Sequence, residues 1–207
     1  MHSLRLRLLA VTTSLALAAL LGAAGPAAAQ DRPANATTSA YERTFLEQMS
    51  VHHHMAVMMS EICVDRAAEL EPGLVALCSG IVQTQEHEID SMVGWLADWY
   101  GVTDFSPHAH MGGDMMGMMD TMRSMPADQF QRFYLEDMIV HHAGALQPAR
   151  QCKGRAAHEE LRRLCAGIVD TQTAEIDQMR TMLCDWYGEC NYWNDPHRRK
   201  AMMDMAG

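Results

Sequence analysis

The sequence predicts an all-α fold, a four-helix bundle made of two tandem helical hairpins. Three observations carry that expectation. Residues 74–101 read LVALCSGIVQTQEHEIDSMVGWLADWYG and residues 161–188 read LRRLCAGIVDTQTAEIDQMRTMLCDWYG, identical at 17 of 28 positions. Upstream, FLEQMSVHHHMA (45–56) matches YLEDMIVHHAGA (134–145), so one unit is used twice. Within each unit apolar residues recur at three- and four-residue spacing with no sustained alternation, the period of helices and not of strands. One such hairpin cannot bury a core by itself, whereas two packed together can.

The 207-residue chain opens on MHSLRLRLLAVTTSLALAALLGAAGPAAA: a basic start at Arg5 and Arg7, an apolar run, then small residues up to Ala29. This is expected to be a secretory signal peptide over 1–29, cut before Gln30. The run is short and interrupted by Thr12, Thr13 and Ser14, a poor permanent span, so no stable membrane insertion is expected. Residues 30–207 are read as one exported domain, periplasmic or extracellular. It comprises a repeat unit at 40–101, a Met/His-rich linker at 102–125, a second unit at 126–188 and a tail at 189–207.

Each element has its local signals. Ser39 with Glu42 resembles a capping box for the first helix. Glu71-Pro72-Gly73 breaks the first unit, with Pro72 suited to open the second helix, and Gly154 is expected to break the second unit. Pro148 is expected to disturb the third helix at the carbonyl of Gly144. Gly101 and Gly188 follow Trp-Tyr at both unit ends, where a left-handed cap belongs. The linker, rich in Gly and Asp, is expected to be a floppy arm.

Six cysteines in an exported chain favour disulfides. Cys63 and Cys78 straddle the first turn, Cys152 and Cys165 the second, and Cys184 and Cys190 are left to pair together. Facing residues in an antiparallel hairpin keep a constant sum of residue numbers. Cys63–Cys78 sets it at 141, which Met49 and Met92 share; Cys152–Cys165 sets it at 317, which Met138 and Met179 share. In the same registers His52 and His53 fall opposite Glu88, and His141 and His142 opposite Glu175. At about 100° per residue, Phe45, Met49, Ala56 and Cys63 form one stripe, with His52 and His53 on its two edges and His54 and Met58 pointing away. Ile81, Gln85, Glu88, Met92 and Trp99 form the stripe of the next helix, and Gln172, Glu175 and Met179 repeat it.

Composition narrows the chemistry. The net charge of -10, or -12 once Arg5 and Arg7 are removed, argues against nucleic acid and suits cations. Nineteen methionines stand beside only four phenylalanines and four tryptophans. Seven of them lie with His108 and His110 in HAHMGGDMMGMMDTMRSM (108–125), and Met202, Met203 and Met205 in the tail repeat the theme. Thioethers are soft ligands for Cu(I), and by the same logic Ag(I), and stay available where cysteines are drawn into disulfides. Two metal sites are therefore expected: Met49, His52, His53, Glu88 and Met92, and Met138, His141, His142, Glu175 and Met179. Auxiliary ligands are His54, Met59, Gln85, Gln172, His108, His110, Met111, Met115, Met116, Met118 and Met119. Another soft or transition metal is compatible with the same donors.

The pattern Met49-His52-His53 with Gln85-Glu88-Ile89-Met92, repeated as Met138-His141-His142 with Gln172-Glu175-Ile176-Met179, resembles domain-of-unknown-function family 305 over most of residues 40–188. That resemblance implies a secreted protein with a ferritin-like four-helix fold. Some members, of the CopM type, bind copper, which implies a copper-handling role in sequestration, resistance or delivery, with another copper-handling protein as a partner. A homodimer stays open. The second unit departs from the first: Gln147 and Pro148 stand where Met58 and Met59 do. Two other classes stay open as well. One is a metal-dependent oxidoreductase of ferritin-like type, although neither His pair has Glu three residues before it as di-iron bundles do. The other is a non-metal structural or interaction bundle. No phosphate loop, nucleophile elbow or His-Glu-x-x-His helix points to an enzyme.

Overall fold

The computed structural model describes residues 35–191. The N-terminal segment read as a signal peptide, and Met202, Met203 and Met205, lie outside these residues. The described chain is all-helical: α1 (Ala36–Asp65), α2 (Pro72–Tyr100), α3 (Gly113–Ser124), α4 (Ala127–Arg155) and α5 (Glu159–Tyr187). Short 3-10 turns at Ala67–Glu69 and Pro107–His110 join them. Helix α1 runs along α2 and α4 along α5, and the two hairpins meet through α1 and α4. The four-helix bundle is thus the one the repeat predicts, with a fifth helix, α3, laid against α1.

All three disulfides form as the register requires. Cys63–Cys78 and Cys152–Cys165 clamp the turn ends of the two hairpins at Cα separations of 6.2 and 6.0 Å, and Cys184–Cys190 closes the end of α5 at 4.2 Å. Each of the first two closes a loop worth roughly 3 kcal/mol through the unfolded state. Gly101 and Gly188 cap α2 and α5 at φ 68° and 71°, in the left-handed region that favours glycine. Helix α4 continues through Pro148 without a break.

Several local expectations fail for identifiable reasons. Helix α1 starts earlier than Ser39, because Asn35 caps it through a bond from the Thr38 N–H (3.0 Å). Glu42 is therefore freed from any capping box and is wholly buried. It accepts hydrogen bonds from Tyr100 Oη (2.8 Å), the Ala157 and His158 N–H groups (2.7 and 3.0 Å) and His158 Nδ1 (3.1 Å). Four donors compensate the buried carboxylate and tie the start of α1 to the far hairpin's turn. Its sequence-equivalent, Gln131, does the same by accepting from the Glu71 N–H (2.7 Å). The second turn falls at Ala156–His158, beyond Gly154, which stays helical.

The linker is not a floppy arm. Met115, Met118, Met119 and Met122 recur at helical spacing and give α3 an apolar stripe, with Asp114 in its first turn and Arg123 in its last to suit the helix dipole. Met119 and Met122 are fully buried, and Met111, Met115, Met118 and Met125 pack around them. They cover the face of α1 expected to point outward, so Met58 is buried as well. Arg66 holds the end of α3, donating to the Met122 carbonyl (3.0 Å) while its guanidinium lies 4.7 Å from the centre of the Phe130 ring.

Candidate metal centre

The core divides into two apolar clusters along the bundle. One holds Ala56, Met59, Ile81, Met138, Ile139, Ile176 and Met179. The other holds Met49, Met92, Ala145 and Ile168. In each of the four long helices a polar step interrupts the sequence between these clusters: His52-His53 in α1, Gln85 and Glu88 in α2, His141-His142 in α4, Gln172 and Glu175 in α5. The bundle therefore carries a polar layer across its middle, with Met49 and Met92 on one side of it and Met138 and Met179 on the other.

Within this layer the two halves repeat each other. His53 Nε2 donates to Glu88 Oε2 at 2.8 Å, and His142 Nε2 donates to Glu175 Oε2 at 2.8 Å. Both imidazoles are wholly buried, while the carboxylate side chains are 13 % exposed. His52 and His141 do not reach the glutamates, contrary to the register expectation. Helical rotation turns them across the α1–α4 contact instead, where their ring centroids lie 3.7 Å apart. Burial and the neighbouring imidazoles hold both rings neutral: His52 is pushed down to about 3 and His141 well below its ordinary value.

Many polar atoms here are buried without a partner: Nδ1 of His52, His53 and His142, both ring nitrogens of His141, and both amide atoms of Gln85 and of Gln172. An unpaired buried polar atom costs about 1–3 kcal/mol, so this concentration sets the layer apart from an ordinary ordered core. The tautomer matters. A carboxylate can only accept, so in a neutral His53 ring the proton sits on Nε2 and Nδ1 keeps its lone pair; a neutral His142 ring behaves alike. These two nitrogens are donors available to a cation, oriented by Glu88 and Glu175. Met49 is 4 % exposed, and Met92, Met138 and Met179 are fully buried. Among the described residues, no three His, Cys, Asp or Glu side chains are already gathered as a ligand set. The donors that the layer offers are imidazoles and thioethers.

The auxiliary residues scatter. Gln85 and Gln172 lie in the layer, and Met59 is buried in the core beside it. His54 turns to the linker, its ring 5.6 Å from that of His108. His110 bonds to the Ser106 carbonyl (2.8 Å) and stacks on Phe105. Met111, Met115 and Met118 are half-buried, Met119 is buried and Met116 is exposed. The three consecutive histidines thus face three different elements: His53 faces α2, His52 faces α4 and His54 faces the linker.

Sequence reading missed the asymmetry of the surroundings. Along one stretch of the α1–α4 groove, α3 packs over Met58, Phe130 and Tyr134. Further along the same groove, towards the start of α1, a cavity of about 300 Å³ stays open, lined by Tyr41, Phe45, Gln48, Gly144, Gln147 and Pro148. Gly144 sits between this cavity and the layer, since a Cβ placed on it would lie 3.6 Å from His52 Nε2. The signal was present in the departure of Gly144, Gln147 and Pro148 from their equivalents Met55, Met58 and Met59.

A disulfide-clamped bundle of two helical hairpins, crossed by a layer of paired histidines and glutamates between buried methionines, defines the class of protein. The chain belongs to the family described as a domain of unknown function (DUF305), which matches residues 42–183. Among solved structures it is similar to CopM in the Cu(I)-bound form, at 29 % identity and a TM-score of 0.61, covering 70 % of this chain and 97 % of that one. CopM in the Cu(II)-bound form is similar at 30 % identity and a TM-score of 0.61, with the same coverage. A DUF305 protein from Streptomyces coelicolor, described as secreted, matches at 30 % identity and a TM-score of 0.59, covering 70 % of this chain and 91 % of that one. A search of the curated proteins finds no match. Among the described residues no helix is long and apolar enough to cross a membrane.

Proposed function

We propose that this protein binds copper in an exported compartment, Cu(I) foremost and Ag(I) by the same chemistry, for sequestration, resistance or delivery. The observation that carries the reading is the polar layer: two His–Glu pairs with free Nδ1 atoms, and Met49, Met92, Met138 and Met179 buried on its two sides. Imidazole with thioether is a donor set for a soft, low-charge ion. The reading assigns Met49, His52, His53 and Met92 as the donors of one half, and Met138, His141, His142 and Met179 as those of the other. Glu88 and Glu175 act as the carboxylates that fix ring orientation and tautomer. The likeness to CopM in Cu(I)-bound and Ag-bound forms supports the metal class. Export is supported by the N-terminal reading, by three disulfides, which persist in oxidising compartments, and by the Streptomyces relative whose description assigns it to secreted proteins.

The test is an anaerobic Cu(I) competition titration of residues 30–207 with disulfides intact. Changing Glu88 and Glu175 together to Gln should weaken the tight phase about 10–100-fold, because the rings lose their orienting acceptor. Replacing His53 and His142 by Ala should abolish that phase. Parent-like binding in the His53→Ala/His142→Ala variant would remove the basis of the assignment.

A further inference from the structure

The third histidine of the His52-His53-His54 run belongs to neither half of the polar layer. Its equivalent in the second unit is Ala143, so repetition of the unit does not account for it. His54 lies on the face of α1 that the linker covers, and its ring centroid is 5.6 Å from that of His108, at a tilt of 66°. Its Nε2 is buried and has no hydrogen-bond partner. Two imidazoles each about 2 Å from a shared ion bring their ring centroids to about 5–6.5 Å, the separation seen here. Thioethers adjoin on both elements. Met58 stands one turn after His54 on the same face of α1, and Met111 stands three residues after His108; both pack in the cluster that α3 completes.

We infer that His54 and His108 form a second soft-metal site at the seam between α1 and the linker, with Met58 or Met111 completing the donor set. It is distinct from the layer and chemically simpler. Neither imidazole has a carboxylate partner, and His108 is exposed whereas His53 and His142 are sealed. An ion can therefore load here directly from solvent. The site belongs to the first half alone, because the second unit has Ala143 where the first has His54. It uses the ion class of the proposed function but not the layer's residues, so each can fail without the other.

The experiment is a titration of Ag(I) into the disulfide-intact protein with ¹⁵N-labelled histidine, following each ring by NMR, alongside calorimetric stoichiometry. In the parent, the His54 and His108 signals should shift together as one equivalent binds. His108→Ala, at an exposed position, should lower capacity by one equivalent and leave the His53 and His142 responses unchanged. His54→Ala should do the same. If the His54 and His108 signals stay still up to saturation, or if His108→Ala retains full capacity, the site does not exist. If they move while His53 and His142 do not, this site stands and the reading of the layer falls.

Discussion

Replacing Met119 and Met122 by Ala should unfold the linker helix and strip stability from the whole bundle. Both side chains are wholly buried, and they share a cluster with Met58, Met59, Phe130 and Tyr134. A buried Met→Ala change costs about 2–5 kcal/mol through lost transfer energy and the cavity left behind. The two residues stand three apart on one helix face, so their cavities merge and the costs do not add in full. An expected loss of about 4–7 kcal/mol follows, a large share of the roughly 5–15 kcal/mol that holds such a domain folded. At roughly 2–4 °C per kcal/mol for a domain of this size, the melting temperature should fall by about 8–28 °C. The assay is urea and thermal unfolding by circular dichroism on metal-free, disulfide-intact protein. Met116→Ala serves as control; Met116 is exposed, and its change should stay within about 0.5 kcal/mol. A double variant within 1 kcal/mol of the parent would mean that the linker contributes nothing to the core, as its Gly- and Asp-rich sequence first suggests.

Acid should weaken the metal-free fold. His52 and His141 are neutral in the folded protein far below pH 6.5, the first down to about 3, whereas the unfolded chain protonates them near their ordinary value. The unfolded state therefore binds more protons, and stability present above pH 6.5 is lost as pH falls towards 3, by up to about 1.4 kcal/mol per pH unit for each ring. Between pH 7 and 5 a loss of about 2–4 kcal/mol is expected, and a urea midpoint equal at both values would contradict it. Gly144→Val should place methyl groups between the open cavity and His52 Nε2, which already lies 3.6 Å from a Cβ position. Stopped-flow Ag(I) binding should then slow while equilibrium affinity changes little; an unaltered association rate would show that ions enter elsewhere.

The helices, the disulfide pairs and the placing of Met49 and Met92 in one core cluster were legible because each is a local or within-hairpin property. The apolar period sets the helices, and the cysteines straddling each turn set the register. What lay beyond reach depended on contacts between hairpins. His52 and His53 are adjacent, and nothing in α1 says that one turns to Glu88 and the other across to His141. The answer sits at the α1–α4 crossing, which the repeat does not encode. Glu42 shows the same limit. Ser39 three residues earlier offers a plausible local role, yet the partners that win are the Ala157 and His158 amides more than a hundred residues on. Helix α3 was hidden differently: glycines at 113 and 117 lower its intrinsic propensity, and tertiary burial of its methionines overrides them.

The departures from internal symmetry gather in one region, which gives them a common physical sense. Where the first unit has His54, Met55, Met58 and Met59, the second has Ala143, Gly144, Gln147 and Pro148. The first set supplies a ring and an apolar surface for a covering helix, and α3 docks there. The second set is small or polar, offers no comparable surface, and leaves the cavity beside His52 open. A fully symmetric bundle with both stretches of the α1–α4 groove covered would seal His52 and His141 from solvent, and an ion would need a large opening of the helices to reach them. A bundle with both stretches bare would expose Phe130 and the methionines around it. Covering one stretch and leaving the other open stabilises the fold at one end of the groove while keeping a short path to the polar layer at the other.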